Sequence, residues 1–301
     1  VVVSPRAGTT SRVPVYGALV LVQVFFGLHY LASKVLLREI PPALWALMRV
    51  ASAAVLLLAI VWLLGRRLPR SGKVLGRLAL YSVFGVVINQ LCFVEGLSRT
   101  TPSHSSILMT AIPVGTLLFA VLARRERLTA AKAASFAVAL IGVLLVLRPA
   151  ATELAGASLA GDLLTVTNAL SYSLFLVISK RLLERVDALA ATAVLLAFGT
   201  LGMLLPGLPA LRGFDPSAVS ARTWALGAFI VVFPTALAYL LNYWALARVQ
   251  SSTVAFFIYL QPLIATSLSI AFLGDRLDGW MVAGAALVFL AVYLALRPGQ
   301  S

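Results

Sequence analysis

Three ionisable residues, His29, Glu95 and His104, stand in stretches that are otherwise apolar. Glu95 closes one such stretch and His104 opens the next, on either side of the turn at Arg99-Thr100. At about 1.5 Å of helical rise per residue, both lie roughly 6 to 8 Å from that turn and level with each other. A carboxyl and an imidazole meeting in apolar surroundings can exchange a proton, which makes the pair a candidate for proton coupling. The alternative is a shallow pair that locks the hairpin or neutralises Arg99, and the residues leave both open. His29 either joins the pair or is a satisfied packing residue.

Neutral hydrogen-bonding groups form the larger set: Asn89 and Gln90, then Ser103, Ser106 and Thr110, Asn168 and Tyr172, Tyr239, Asn242 and Tyr243, and finally Tyr259 and Gln261. Ser103, Ser106 and Thr110 share one helical stripe at i, i+3 and i+7. Each group can bind a solute or fasten one helix to another. Pro113, Pro262 and Pro234 fall within apolar runs, where a proline frees the carbonyl four residues earlier and either hinges the helix or leaves a static kink. Pro234 has no proline counterpart in the corresponding third run. Arg49 and Lys34 lie near run ends and are expected to snorkel to the surface, with capture of an anionic group as the alternative.

The elements that must position these residues are long apolar helices. Of 301 residues, 61% are hydrophobic and 11% charged, with mean hydropathy +1.01, outside the range of soluble domains. Ten runs are long enough to span a bilayer: 15–36, 43–64, 74–97, 103–123, 130–148, 160–180, 189–210, 222–246, 252–273 and 279–297. The fold class is therefore an all-α integral membrane protein. A net charge of +14 would suggest nucleic acid in a soluble chain. Here the basic residues occupy short connections and act as topology signals, so no nucleic-acid partner is expected. With the N-terminus inside, 16 of the 24 Lys and Arg residues fall on the cytoplasmic side. Cys92, the single cysteine, reads as a packing residue. Residues 1–12 lack the apolar core of a signal peptide, so no cleavage is expected.

The chain repeats itself. Glu95–Pro149 lies without a gap on Trp244–Pro298 at an offset of 149, matching Arg99 with Arg248, Pro113 with Pro262 and Arg148-Pro149 with Arg297-Pro298. Five spans per copy, an odd number, turn the second copy upside down, the arrangement of inverted-repeat transporters. The expected parts are a cytoplasmic tail at 1–14, a first repeat at 15–149, an external linker at 150–159 and a second repeat at 160–298.

The stretches Asn89–Val146 and Gln261–Leu296 resemble the EamA branch of the drug/metabolite transporter superfamily. Pro113 followed by Glu126-Arg127-Leu128, and Pro262 followed by Asp275-Arg276-Leu277, carry the likeness. The resemblance implies ten helices, both termini in the cytoplasm, and a central cavity lined mainly by helices 1, 3, 4, 6, 8 and 9. It also implies export or exchange of small metabolites such as amino acids. With the neutral polar set concentrated in the helices that the resemblance makes cavity-lining, it implies a polar, mostly uncharged pocket with aromatic walls, which suits amino acids or small amphipathic metabolites better than sugar phosphates, since those call for several inward-facing cations. Glu95 departs from it, standing where many relatives have a small or aromatic residue, and leaves the coupling mechanism open. The expected function is a secondary transporter of a bacterial inner membrane, working by alternating access. The alternatives are a facilitative channel-like carrier, a multidrug or sugar-phosphate exchanger, and a non-transporting scaffold or receptor. No catalytic set, metal site or cofactor is expected, because two isolated histidines cannot supply H-E-x-x-H and no phosphate-binding loop occurs. The expected partners are a small-molecule substrate and the lipid bilayer. Gly199, Gly202 and Gly207 either relieve packing or mark a homodimer face.

Overall fold

The computed structural model describes residues 13–99, 105, 108–147, 159–264, 267 and 279–295. Six helices are long and apolar enough to cross a membrane: α1 (Val13–Leu36), α2 (Pro42–Leu63), α3 (Gly72–Arg99), α6 (Leu159–Leu183), α7 (Ala188–Gly207) and α8 (Ala221–Leu246). Their bounds fall within three residues of the corresponding predicted spans. Four further apolar helices are described, α4 (Ala111–Leu122), α5 (Ala130–Leu147), α9 (Ser251–Ile264) and α10 (Gly279–Ala295), with short 3-10 turns at Pro209–Leu211 and Pro216–Ala218. No strand occurs among the described residues.

The local reasons for these helices are plain in the sequence. Pro42 opens α2, where its missing N–H costs nothing, and Gly65 closes it at φ +60°, a conformation that suits a residue without Cβ. Asp187 caps α7 by accepting from the Ala190 amide at 3.0 Å. Most of the remaining backbone pairs within its own helix, which is what allows these segments to leave water. Their outward faces are apolar: Leu205 is 86% exposed and Trp62 79%. Side chains of that size, displayed around the whole bundle, require hydrocarbon outside. This is an integral membrane protein.

Helix packing pairs α5 with α10, α2 with α7, α3 and α4 with α6, and α1 with α8. The α7 glycines lie at close helix contacts within the chain. A Cβ at Gly199 would lie 2.3 Å from Val86 of α3, one at Gly202 2.5 Å from Val87, and one at Gly207 2.6 Å from Leu47 of α2. Small residues there let α7 approach two neighbours of the same chain.

Two helices carry a widened π-turn, Val83–Ile88 in α3 and Val231–Leu237 in α8. Pro234 thus does have a counterpart in the third span, in the backbone and not in the sequence.

Candidate functional site

A cavity of about 60 Å³ lies among helices of both halves. Helix α1 contributes Phe26, His29 and Tyr30, and α3 contributes Asn89, Gln90 and Phe93. Ile112 of α4 and the preceding Met109 add apolar wall, as does Ile258 of α9. Asn168 and Tyr172 come from α6, Tyr239 from α8 and Gln261 from α9. Arg49 of α2 completes the lining.

The amides form one network. Asn89 Nδ2 donates to Asn168 Oδ1 at 2.5 Å, and Asn89 Oδ1 accepts from Gln90 Nε2 at 3.1 Å and from the Tyr239 hydroxyl at 3.1 Å. Gln90 Nε2 also donates to the Tyr239 hydroxyl. Gln90 and Tyr239 are 149 residues apart, the spacing that relates Arg99 to Arg248, so equivalent positions of the two halves touch at the cavity. A second pair of bonds joins α1 to α9: Gln261 Nε2 donates to Gln23 Oε1 at 2.7 Å, and Tyr30 leans its hydroxyl on Gln261 Oε1 at 3.5 Å. A polar group so deep in an apolar bundle must be paired, and these are paired mostly with one another.

Of the predicted pocket residues, Asn89, Gln90, Asn168, Tyr172, Tyr239 and Gln261 line the cavity. Asn242, Tyr243, Tyr259 and Thr110 do not. Asn242 stands behind the wall and donates to the Tyr172 hydroxyl at 2.5 Å. Tyr243 packs on Phe175 and Tyr239, and Tyr259 on Phe136 and Phe256. Ser103, His104 and Ser106 lie outside the described residues. Pro113 and Pro262 are helical and buried, and the carbonyl of Ile112 beside Pro113 accepts from Ser173 of α6 at 3.0 Å.

One expectation about charge needs correction. Arg49 does not snorkel: it is 1% exposed, its Nε donates to Thr235 Oγ1 at 2.8 Å, and its Nη1 meets His29 Nε2 at 2.9 Å. The pocket is therefore not free of charge, and α2 belongs among its walls. The surface was the expected place because depth along a helix does not say which way the side chain turns, and here the partners on α1 and α8 turn it inward. Glu95 is not among the cavity-lining residues; its carboxylate accepts from Arg99 at 2.9 Å at a partly exposed site, the contact with Arg99 that one of its two expected readings gives it. His29 does reach it, stacked on Phe93 with ring centroids 4.9 Å apart. Lys34, from the end of α1, donates to the Leu97 carbonyl of α3 at 2.8 Å.

The Glu126-Arg127-Leu128 turn lies elsewhere. Glu126 is 4% exposed, pairs with Lys132 at 2.6 Å, and accepts from both the amide and the hydroxyl of Ser252. Lys132 also donates to Gln250 Oε1 at 2.8 Å. This cluster ties the α4–α5 turn to the start of α9. Arg124, just before it, holds φ +52°, a left-handed conformation unusual for a residue with Cβ. Among the described residues no group of three or more His, Cys, Asp or Glu is placed to hold a metal ion.

Comparison with known proteins agrees with this architecture. An uncharacterized transporter of Archaeoglobus fulgidus is 25% identical over 282 residues, covering 93% of this chain and 97% of its own. The uncharacterized transporter YyaM of Bacillus subtilis is 25% identical over 288 residues, covering 93% of each chain. The uncharacterized inner membrane transporter YedA of Escherichia coli K12 is 23% identical over 302 residues, covering 94% and 91%. A crystal structure of 17% sequence identity superposes with a TM-score of 0.75 over 96% of this chain and 98% of that one, which establishes a shared fold. The sequence model of the EamA-like transporter family matches twice, at residues 14–148 and again at 159–297. With both halves matched and a polar cavity between them, the chain belongs to the EamA-like transporter family and is a membrane transporter.

Proposed function

We propose that this protein is a secondary transporter of small metabolites such as amino acids, working by alternating access around the cavity. In this proposal ten helices cross a bacterial inner membrane as two inverted five-helix repeats, with both termini in the cytoplasm. The observation that carries it is the meeting of Gln90 and Tyr239, equivalent positions of the two halves, at a buried polar cavity. A site on such a pseudo-twofold axis is exposed to one side or the other as one half rocks against its partner. The size of the cavity argues for a small solute, since drug-sized sites enclose roughly 300 to 1,000 Å³. The single Lys or Arg among its described lining residues argues against sugar phosphates, whose charge calls for more.

Counterflow in proteoliposomes tests the proposal. Vesicles preloaded with unlabelled leucine should accumulate labelled leucine transiently, while a cationic dye and a sugar phosphate should not exchange. Absence of counterflow by monodisperse protein for every solute class would sink the carrier mechanism, and downhill flux without counterflow would indicate a channel-like route. Under an imposed pH gradient, we expect drive to survive Glu95→Gln and to be lost in His29→Gln, because His29 is the described candidate that lines the cavity.

A further inference from the structure

Among the described residues, the cavity wall carries one cationic side chain, Arg49. Arg49 has no carboxylate within ion-pair distance among the described residues; Thr235 and His29 are its hydrogen-bonding partners. The Thr235 hydroxyl gives its own hydrogen to the Ile230 carbonyl at 2.7 Å, so toward Arg49 it acts as an acceptor. A guanidinium offers only donors, so Nε2 of His29 must accept as well, which leaves that imidazole neutral with its proton on Nδ1. Nε and Nη1 are thus anchored by neutral groups on α8 and α1, and Nη2 has no protein partner among the described residues.

A buried cation without a counterion is costly, and a rigidly held guanidinium with a free edge matches the geometry of a carboxylate. The rest of the lining offers little to a cation. None of the described lining residues is Asp or Glu, and the buried acceptor left without a partner among them is Oε1 of Gln90.

We infer that the cavity selects solutes bearing a carboxylate, that this carboxylate is the missing counterion of Arg49, and that Arg49 is a specificity-determining residue of the transport site. This rests on the transport reading above and narrows it. An amino acid meets the requirement through its carboxylate, and its ammonium is tolerated but not required.

The test uses the full-length protein in detergent and three probes of one carbon skeleton: leucine, its deaminated acid isocaproate, and its decarboxylated amine isoamylamine. Isothermal titration should show both carboxylates binding the wild-type protein and the amine at least about tenfold weaker. Arg49→Gln should weaken isocaproate on the order of a hundredfold, with Arg49→Lys falling between, since it keeps the charge and loses the planar fork. Should Arg49→Gln fail to fold, the acid–amine difference in the wild-type protein decides the matter alone. Equal affinity for amine and acid, isocaproate binding unchanged in Arg49→Gln, or no binding of either carboxylate would overturn the inference. Counterflow of uncharged solutes with no acid preference would leave transport standing and remove carboxylate selection. Carboxylate binding without flux in any assay would do the reverse.

Discussion

Helices α3 and α8 stand 149 residues apart and repeat one another at three points. Ser71 and Ser220 precede their first turns, Val83–Ile88 and Val231–Leu237 are their widened turns, and Gln90 and Tyr239 follow at the cavity. The causes differ. In α8 the helix widens itself: Pro234 has no N–H and crowds the Ile230 carbonyl, which accepts instead from the Thr235 hydroxyl. In α3 the cause comes from outside. No proline is present; Ser171 of α6 donates to the Phe84 carbonyl at 2.8 Å, and Gly85 lies so close to Phe175 that a Cβ would sit 2.4 Å from its ring. The starts differ too. Ser220 accepts from the Thr223 amide and is clasped by Glu39, whereas Ser71 makes no side-chain cap bond. One backbone feature is thus held by local chemistry in one half and by a neighbouring helix in the other.

The strongest way to break this comparison is at α3. Gly85→Leu should cost about 3 kcal/mol or more, because ring and backbone have no room to part, while Pro234→Ala should change stability by less than about 1 kcal/mol. Thermal unfolding in detergent reads both, and the opposite ranking would mean that the α3 turn does not depend on α6. Next come the hydroxyls. Thr235→Val strips an acceptor from the buried Arg49 and should cost about 2 kcal/mol, whereas Ser171→Ala removes a bond between neutral groups and should cost about 1 kcal/mol. Equal losses would show that Arg49 finds another acceptor.

The smallest effect concerns the clasp. The amide of Ser220, and then the hydroxyls of Thr223 and Ser220, hold the Glu39 carboxyl below its ordinary range. A depressed folded-state value adds stability that is present above the unfolded carboxylate pKa of about 4.3 and lost as the pH falls through the folded value. Glu39→Gln should therefore melt slightly below wild type at neutral pH, and the two should converge as the pH falls through the folded value. A difference that persists in acid would assign the clasp to packing and not to charge.

Much of the candidate site was legible in the sequence. Asn89, Gln90, Asn168, Tyr172, Tyr239 and Gln261 stand out because an amide or phenol in an apolar run must be paired within the protein, and helices of both repeats supply them. That rule finds polar residues without saying whether they line a cavity or brace it. Asn242 braces Tyr172, and Tyr259 packs among Phe136 and Phe256, on sequence evidence no different from that for Tyr239. Arg49 was less legible still. A cation near the end of a span can reach the surface or turn inward, and the choice is made by Thr235 and His29, 186 and 20 residues away.

The sequence by itself determined the solvent, the helices and the duplication, because these follow from hydropathy, run length and spacing along one dimension. Only the tertiary structure decided which polar groups meet, that α3 widens without a proline, and that the pocket holds a cation. Each of those depends on atoms brought together from different helices, and the free energy of a buried charge or an opened turn is set by those neighbours and not by the residue that carries it.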